Sequence, residues 1–380
     1  MPISERRDAA EAGTLGAEPA RALRAHAAYA CRHSGVCCSS NWEIPVEDAQ
    51  HDRLVGALAA GQLVPARPHR AGAPTLVPRE GLPRGQRSVL GRSHGHCVFH
   101  GGGEAGCALH AWGGAAAKPV ACQQFPWIAV HDPRGTTVSL SHVCPTAAAR
   151  LHDPALLQLA ALPGDARRFD GLDVRRALPP AIDERRLLDW DALSAWETQA
   201  LDACARARRP TDVVGDLRAL RAHAGRWSSG QGPLARWIAA WTPPDARPAT
   251  TIPAPELDAI VRESVPAAFA PAPAAPPAGI HVAWDGGAPI IRRHLAARLV
   301  ACWPLHYGVG LATAGAYVEA LLAVIAGELA RRTHPGEAPD DAAVLAAVAE
   351  TDRIVLHLAA PETLASRLDR WARGGAGAAL

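Results

Sequence analysis

Seven of the chain's nine cysteines fall within its first 150 residues, and that placement constrains the fold more than any other feature. Cys31, Cys37 and Cys38 open the set in Cys-Arg-His-Ser-Gly-Val-Cys-Cys. Cys97 and Cys107 follow in His-Cys-Val-Phe-His and Gly-Cys-Ala-Leu-His. Cys122 lies in Lys-Pro-Val-Ala-Cys-Gln-Gln-Phe-Pro-Trp and Cys144 in His-Val-Cys-Pro. A chain of 380 residues can bury a full core without disulfides. It opens without the apolar stretch of a secretory signal, so cytoplasm is the expected compartment. Thiols gathered in such a chain read as ligands of a metal ion or an iron–sulfur cluster, not as a disulfide frame.

Zinc and iron–sulfur clusters both take about four ligands, commonly thiolates. Seven thiols exceed one such set, so the sequence implies either two centres or one centre with spare thiols around it. Cys37 and Cys38 are adjacent, and in an extended segment their side chains point to opposite faces. Glycines that permit sharp turns punctuate these regions (Gly35, Gly95, Gly101 to Gly103, Gly106), and His33, His94, His96, His100, His110 and His142 crowd them. Buried structural cysteines would instead sit on a helical stripe, packing as small hydrophobes. Cys204 and Cys302 fit that description; the seven do not.

The expected fold is mainly α, with a small irregular α+β metal-binding module at the N-terminal end and a helical domain after it. Residues 1–22 read as a loose segment, 23–150 as the cysteine-cluster domain, and 151–380 as the helical domain with a Pro/Ala-rich linker at 242–277. Inside the module, residues 42–46 read as a strand and 46–60 as a helix, and Pro, Gly and Arg at 61–90 predict a long irregular loop. Residues 127–131 and 136–142 flank Asp-Pro-Arg-Gly and predict a β-hairpin that returns Cys144 alongside Cys122. Helical spacing marks 183–208, 213–227, 234–241, a short piece near 255–265, two apolar helices in 290–332, then 340–358 and 361–373. Within these, residues 309–330 are apolar, but Glu319 and Glu328 interrupt them, so a buried core helix is expected and no membrane span. The formal net charge of +2 gives no electrostatic case for nucleic acid.

The cysteine motifs resemble a known family. Cys31-x2-Ser34-x2-Cys37-Cys38 is similar to the Cys-x2-Cys-x2-Cys-Cys signature of the YkgJ-like cysteine-cluster proteins, a zinc- or iron-chelating domain. Cys97-Val98-Phe99, Gly106-Cys107, Lys118-Pro119-Val120-Ala121-Cys122-Gln123-Gln124-Phe125-Pro126 and Cys144-Pro145 then follow in the family's order. The resemblance covers roughly residues 31–145. Ser34 stands where that signature has its second cysteine, and Lys118, the chain's sole lysine, where it has arginine. The resemblance implies zinc or iron held by Cys31, Cys37, Cys38, Cys97, Cys107, Cys122 and Cys144, with His33 available to compensate for Ser34.

A fainter resemblance reaches further. Cys37-Cys38-x3-Trp42-x-Ile44-Pro45, Arg293-His294-Leu295-Ala296-Ala297-Arg298-Leu299 and Asp352-Arg353-Ile354-Val355-Leu356-His357 look like segments of flagellin lysine N-methylases. That implies S-adenosylmethionine-dependent methyl transfer to a protein substrate. No strand–Gly-x-Gly–helix pattern, Walker motif, nucleophile elbow or His-Glu-x-x-His helix accompanies it. Gly101–Gly103 fit a turn in a metal loop better than a cofactor cradle. Asp352, Arg353 and His357 are candidate polar site groups, although a solvated helix face with an ion pair is the simpler expectation. A zinc-stapled module that docks a protein partner is the third reading. Scarcity of paired Cys-x2-Cys knuckles tilts the metal toward iron–sulfur, and Phe125-Pro126-Trp127 is expected to wall the centre.

Overall fold

A computed structural model describes residues 20–374 apart from 33, 41, 67–73, 81, 83, 102–105, 156, 165, 245–254, 268–286 and 335–336. The protein is mainly helical with several small sheets. The largest sheet has five strands: β1 (Ala20–Leu23), β2 (Trp127–Asp132), β3 (Gly135–Leu140), β4 (Leu159–Leu162) and β5 (Gly171–Asp173), in the order β5-β2-β3-β1-β4. β2 and β3 form the hairpin expected around Asp-Pro-Arg-Gly, with Trp127 opposite Leu140 and Asp132 opposite Gly135. β1 runs parallel to β3, with Ala22 beside Val138, and β4 pairs antiparallel with β1.

Two expectations are corrected here. Residues 20–22 are not loose: they belong to β1, an inner strand of the sheet, because Ala20 and Ala22 bury with Val138 and Leu162 while Leu23 buries in the helical core with Leu151. The sheet also draws β4 and β5 from beyond residue 150, so strands from both sides of that boundary share one hydrogen-bonded unit. The chain between β1 and β2 carries most of the cysteines.

Within that excursion, Pro45–Glu47, Gln86–Leu90 and Leu76–Pro78 make a second, three-stranded antiparallel sheet. The irregular loop expected at 61–90 is therefore wrong over its second half. Leu76, Val89 and Leu90 are buried, and their apolar contacts outweigh the turn-forming Pro and Gly between them. The helix Asp48–Ala59 lies against this sheet, close to its expected span. Leu54, Leu63, Val98, Phe99 and Leu109 form the core beneath, and Cys38, Cys97, Cys107 and Cys122 pack into or against it.

Beyond the sheet the chain is helical: α1 (Trp190–Arg206), α2 (Pro210–Gly225), α3 (Leu234–Ala239), α4 (Pro255–Arg262), α5 (Ala288–Leu299), α6 (Gly310–Arg332), α7 (Asp341–Asp352) and α8 (Pro361–Gly374). α1 begins later than residue 183, because Ala181–Asp183 and Arg186–Leu187 form a hairpin and Asp189 caps the helix by accepting from the Ala192 amide. α4 falls inside the Pro/Ala-rich stretch 242–277, much of which lies outside the described residues. α6 is long and apolar enough to cross a bilayer, yet 94% of its most apolar window is buried by neighbouring elements. Its two acids are paired: Glu319 accepts from Arg218 at 2.9 and 2.8 Å, and Glu328 from Arg262 at 2.8 Å as well as from Arg331 and Arg332. Burial pushes the Glu328 carboxyl up, but the arginines outweigh it and hold it down at about 2.

α5 packs against the sheet, where Ser139 donates to the Ala297 carbonyl at 2.6 Å. At the other end of the hairpin Arg134 bonds Asp132 at 2.6 Å and both oxygens of Glu197 on α1 at 2.8 and 3.0 Å. These contacts fix the hairpin between the cysteine-bearing excursion and the helices. α7 passes directly into a π-helix at Arg353–Leu358.

Candidate metal and ligand sites

The seven early thiols separate into two neighbourhoods. Cys37 and Cys38 lie on the helical turn Val36–Ser39, their Sγ atoms 3.8 Å apart. Cys97 ends the two-residue strand His96–Cys97, Cys107 precedes the helix Ala108–Gly113 and bridges His100, and Cys122 is on the helix Val120–Gln124. Cys97, Cys37 and Cys107 each disfavour ionisation of Cys122, and Cys97 and Cys107 do the same to Cys38, so five thiols from four segments sit within electrostatic reach. Cys31 and Cys144 belong elsewhere. Both interact with the Tyr29 hydroxyl, Cys144 at 3.6 Å, and with burial they raise its pKa. Cys144 packs with Leu140 and Ala147 beside Phe125 and Trp127.

Gly35 shows why glycine precedes the paired cysteines. Its φ of +74° is a left-handed conformation, and a Cβ there would collide with the His100 ring. That close approach seats the Val36–Ser39 turn on the segment carrying Cys97 and Cys107.

The thiols differ in acidity. Hydrogen bonding from Cys38, opposed by burial and helped by Lys118, draws Cys37 down to about 7. The same bond, with burial, drives Cys38 up. Burial raises Cys97 to about 11, and raises Cys122 further. Arg92 lies beside Cys97 and Cys38, anchored by Nη1 to the Trp42 carbonyl at 2.9 Å. Five thiols flanked by two cationic side chains are donor groups of the kind a soft cation takes, and binding one would replace the protons that burial keeps on Cys97 and Cys122. Among the described residues, no three of these thiols bring their sulfur atoms within 4.8 Å of one another. His33 lies outside those residues.

A cleft of about 280 Å³ opens beside this region. Cys37 and Cys122 share its wall with Trp42, Phe125, Pro126 and Trp127, so the aromatic segment expected near the centre does line the same space. His357 closes the far side. Its ring lies 4.6 Å from that of Trp42, its Nε2 is 2.8 Å from Ser141 Oγ, and burial pushes its pKa down to about 4.

The most compact donor set is one that the cysteine pattern does not announce. His142, His294 and Asp352 present ligand-type atoms all within 4.8 Å of one another, and the side chains of all three are fully buried. Asp352 Oδ2 accepts from the His142 amide at 2.7 Å and lies 2.9 Å from His142 Nδ1. His294 Nδ1 is 3.2 Å from His142 Nδ1. Arg298 Nε is 3.7 Å from Asp352 Oδ1, and Arg298 Nη2 donates to Ser139 at 3.2 Å and to the Leu140 carbonyl. Burial pushes His294 down to about 3 and lowers His142 as well. It would push Asp352 up, but Arg298, then His294 and His142, hold that carboxyl well below its usual range. Since burial keeps both imidazoles neutral, the lasting cationic partner is Arg298.

The solvated face expected for Asp352, Arg353 and His357 is thus overturned for two of the three. Arg353 pairs with Glu350 at 2.5 Å, as a surface ion pair would. Asp352 points into the protein because α7 docks on α5 and α6, and the π-helical turn after it directs His357 to the cleft. His142 and His294 were visible in sequence only as one histidine near cysteines and one in an Arg-His-Leu segment. Cys204 and Cys302 are buried, each raised to about 12 by that burial, in keeping with a packing role. Compared with known protein families, curated proteins and solved structures, the chain matches none of them.

Proposed function

We propose that the protein binds a metal ion or an iron–sulfur cluster through thiols drawn from Cys37, Cys38, Cys97, Cys107 and Cys122. The observation that supports this is the mutual electrostatic influence of five thiols that come from four separate segments. When bound, such a centre supplies either a structural staple or redox and Lewis-acid chemistry. The chain's own residues supply its surroundings: Lys118 and Arg92 provide compensating charge, and Phe125, Pro126 and Trp127 limit access of water. Cys31 and Cys144, grouped around Tyr29, stand apart from this set. The test is metal and acid-labile sulfide content, with an absorption spectrum, on protein purified without oxygen. Iron with sulfide supports a cluster, colourless zinc supports a stapled module, and protein with no metal and all thiols free refutes the reading.

A second reading, methyl transfer from S-adenosylmethionine, draws on the cleft. The faces of Trp42, Phe125 and Trp127 suit a sulfonium or ammonium cation. Calorimetric titration with S-adenosylmethionine checks it: binding that Trp42→Ala weakens is expected, and no binding to the metal-loaded protein removes this reading.

A further inference from the structure

The buried group of His142, His294 and Asp352 takes no part in the thiol reading. We propose that it is a separate site for a divalent transition-metal ion of the zinc class, serving to join the β2–β3 hairpin to the helices. The three residues arrive from distant parts of the chain, 152 residues apart for the two histidines and 210 for His142 and Asp352. His142 follows β3, His294 lies on α5 and Asp352 ends α7.

Hydrogen bonding alone does not satisfy this arrangement. Two imidazole nitrogens 3.2 Å apart can share one proton between them, and the His142 Nδ1 proton is already directed at Asp352 Oδ2, 2.9 Å away. His142 Nε2, His294 Nε2, Asp352 Oδ1 and Arg298 Nε are buried without a hydrogen-bond partner among the described residues. Orphaned polar atoms at this depth are costly, and an ion would satisfy His142 Nε2, His294 Nε2 and Asp352 Oδ1, though not the Arg298 Nε donor. The spacing fits an ion. Bonds of about 2.0–2.1 Å to a tetrahedral zinc put neighbouring ligand atoms about 3.3 Å apart; the orphaned His294 Nε2 and Asp352 Oδ1 are 3.7 Å apart, and ligand-type atoms of all three residues lie within 4.8 Å of one another.

The donor chemistry selects the class. Two neutral imidazoles and one carboxylate suit zinc, whereas calcium and magnesium prefer several oxygen ligands. Arg298 sharpens the choice: it offsets the sole carboxylate of the group, which weakens the attraction for a hard cation that depends on charge. It also competes with any ion for Asp352 and so limits affinity.

The test uses the full chain carrying Cys37→Ser, Cys38→Ser, Cys97→Ser, Cys107→Ser and Cys122→Ser together, expressed with zinc and checked for folding by circular dichroism. Zinc-edge X-ray absorption should show a single zinc with nitrogen and oxygen neighbours near about 2.0 Å and no sulfur shell near about 2.3 Å. Adding His294→Gln should remove it. A folded thiol variant that retains no zinc overturns the proposal, as does zinc held equally well after His294→Gln. If the His294→Gln protein does not fold, cobalt loaded into the thiol variant decides. Visible ligand-field bands without thiolate charge-transfer absorption support the site, and cobalt lost on dialysis overturns it. Because these measurements are made with thiols removed, their failure leaves the thiol centre standing, and failure of the thiol centre leaves them intact.

Discussion

The thiol neighbourhood and the His142–His294–Asp352 group hold polar atoms in opposite ways. Four of the five thiols are partly exposed and Cys97 is buried; Cys37 and Cys122 face a cleft, cationic side chains lie nearby, and burial chiefly keeps Cys97 and Cys122 protonated. The second group is dry, held by a sheet and two long helices, and its carboxylate is ionised at depth because Arg298 is beside it. The first arrangement can admit a ligand. The second cannot lose a partner without leaving a charge in the interior.

The largest effect should come from breaking the dry group. Asp352→Asn leaves the Arg298 guanidinium without its counter-charge and should cost about 3–5 kcal/mol, read as a drop in urea midpoint. Acid should probe the same contrast. The folded pKa values of His294 (about 3) and His357 (about 4) lie below the ordinary value of 6.5. The native state therefore binds fewer protons than the unfolded state below that value, and stability should fall as pH drops from 6.5 toward 4. Each such histidine adds a slope of about 1.4 kcal/mol per pH unit. Asp352, with its depressed pKa, adds to the loss at lower pH still. A urea midpoint unchanged between pH 7 and pH 5 would contradict the buried neutral histidines.

Smaller changes test the thiol side. Gly35→Ala must adopt a left-handed φ and displace His100, at a cost of about 1–3 kcal/mol by thermal denaturation. Cys122→Ala should lose bound metal while Cys204→Ala keeps it; equal metal content in both would sink the thiol assignment. In metal-free protein, Cys37 should be alkylated by iodoacetamide faster than Cys38, Cys97 or Cys122, with a rate that rises with pH and levels off above about 7. A uniform rate across the four would remove the distinction drawn between Cys37 and its neighbours.

How much of this was legible in sequence follows from how local each cause is. The hairpin and α1 to α8 announce themselves through turn residues and periodicity, which act over a few positions. β1 did not, because an Ala-Arg-Ala-Leu segment carries no strand signal until Val138 and Leu162 lie beside it. The strands Leu76–Pro78 and Gln86–Leu90 were hidden by the prolines and glycines that connect them. The cysteine grouping was legible as a region, and its division around Cys122 and around Tyr29 was not, since spacing along a chain says little about which loops return. Asp352 was assigned to solvent because an isolated helix gives no sign of what docks on it.

The position of β1 has a further consequence. Ala22 and Ala129 flank Val138 on either side of β3, so the chain leaves the sheet after Leu23 and re-enters at Trp127 at the same end. Two strand spacings separate exit from entry, about 10 Å. Everything from Arg24 to Pro126 is thus a graft with neighbouring roots: a long insertion whose ends the sheet already holds together. Such a graft can be lengthened, shortened or exchanged without re-threading the host, and the entropy of closing so large a loop is met by the sheet, not by whatever the thiols bind.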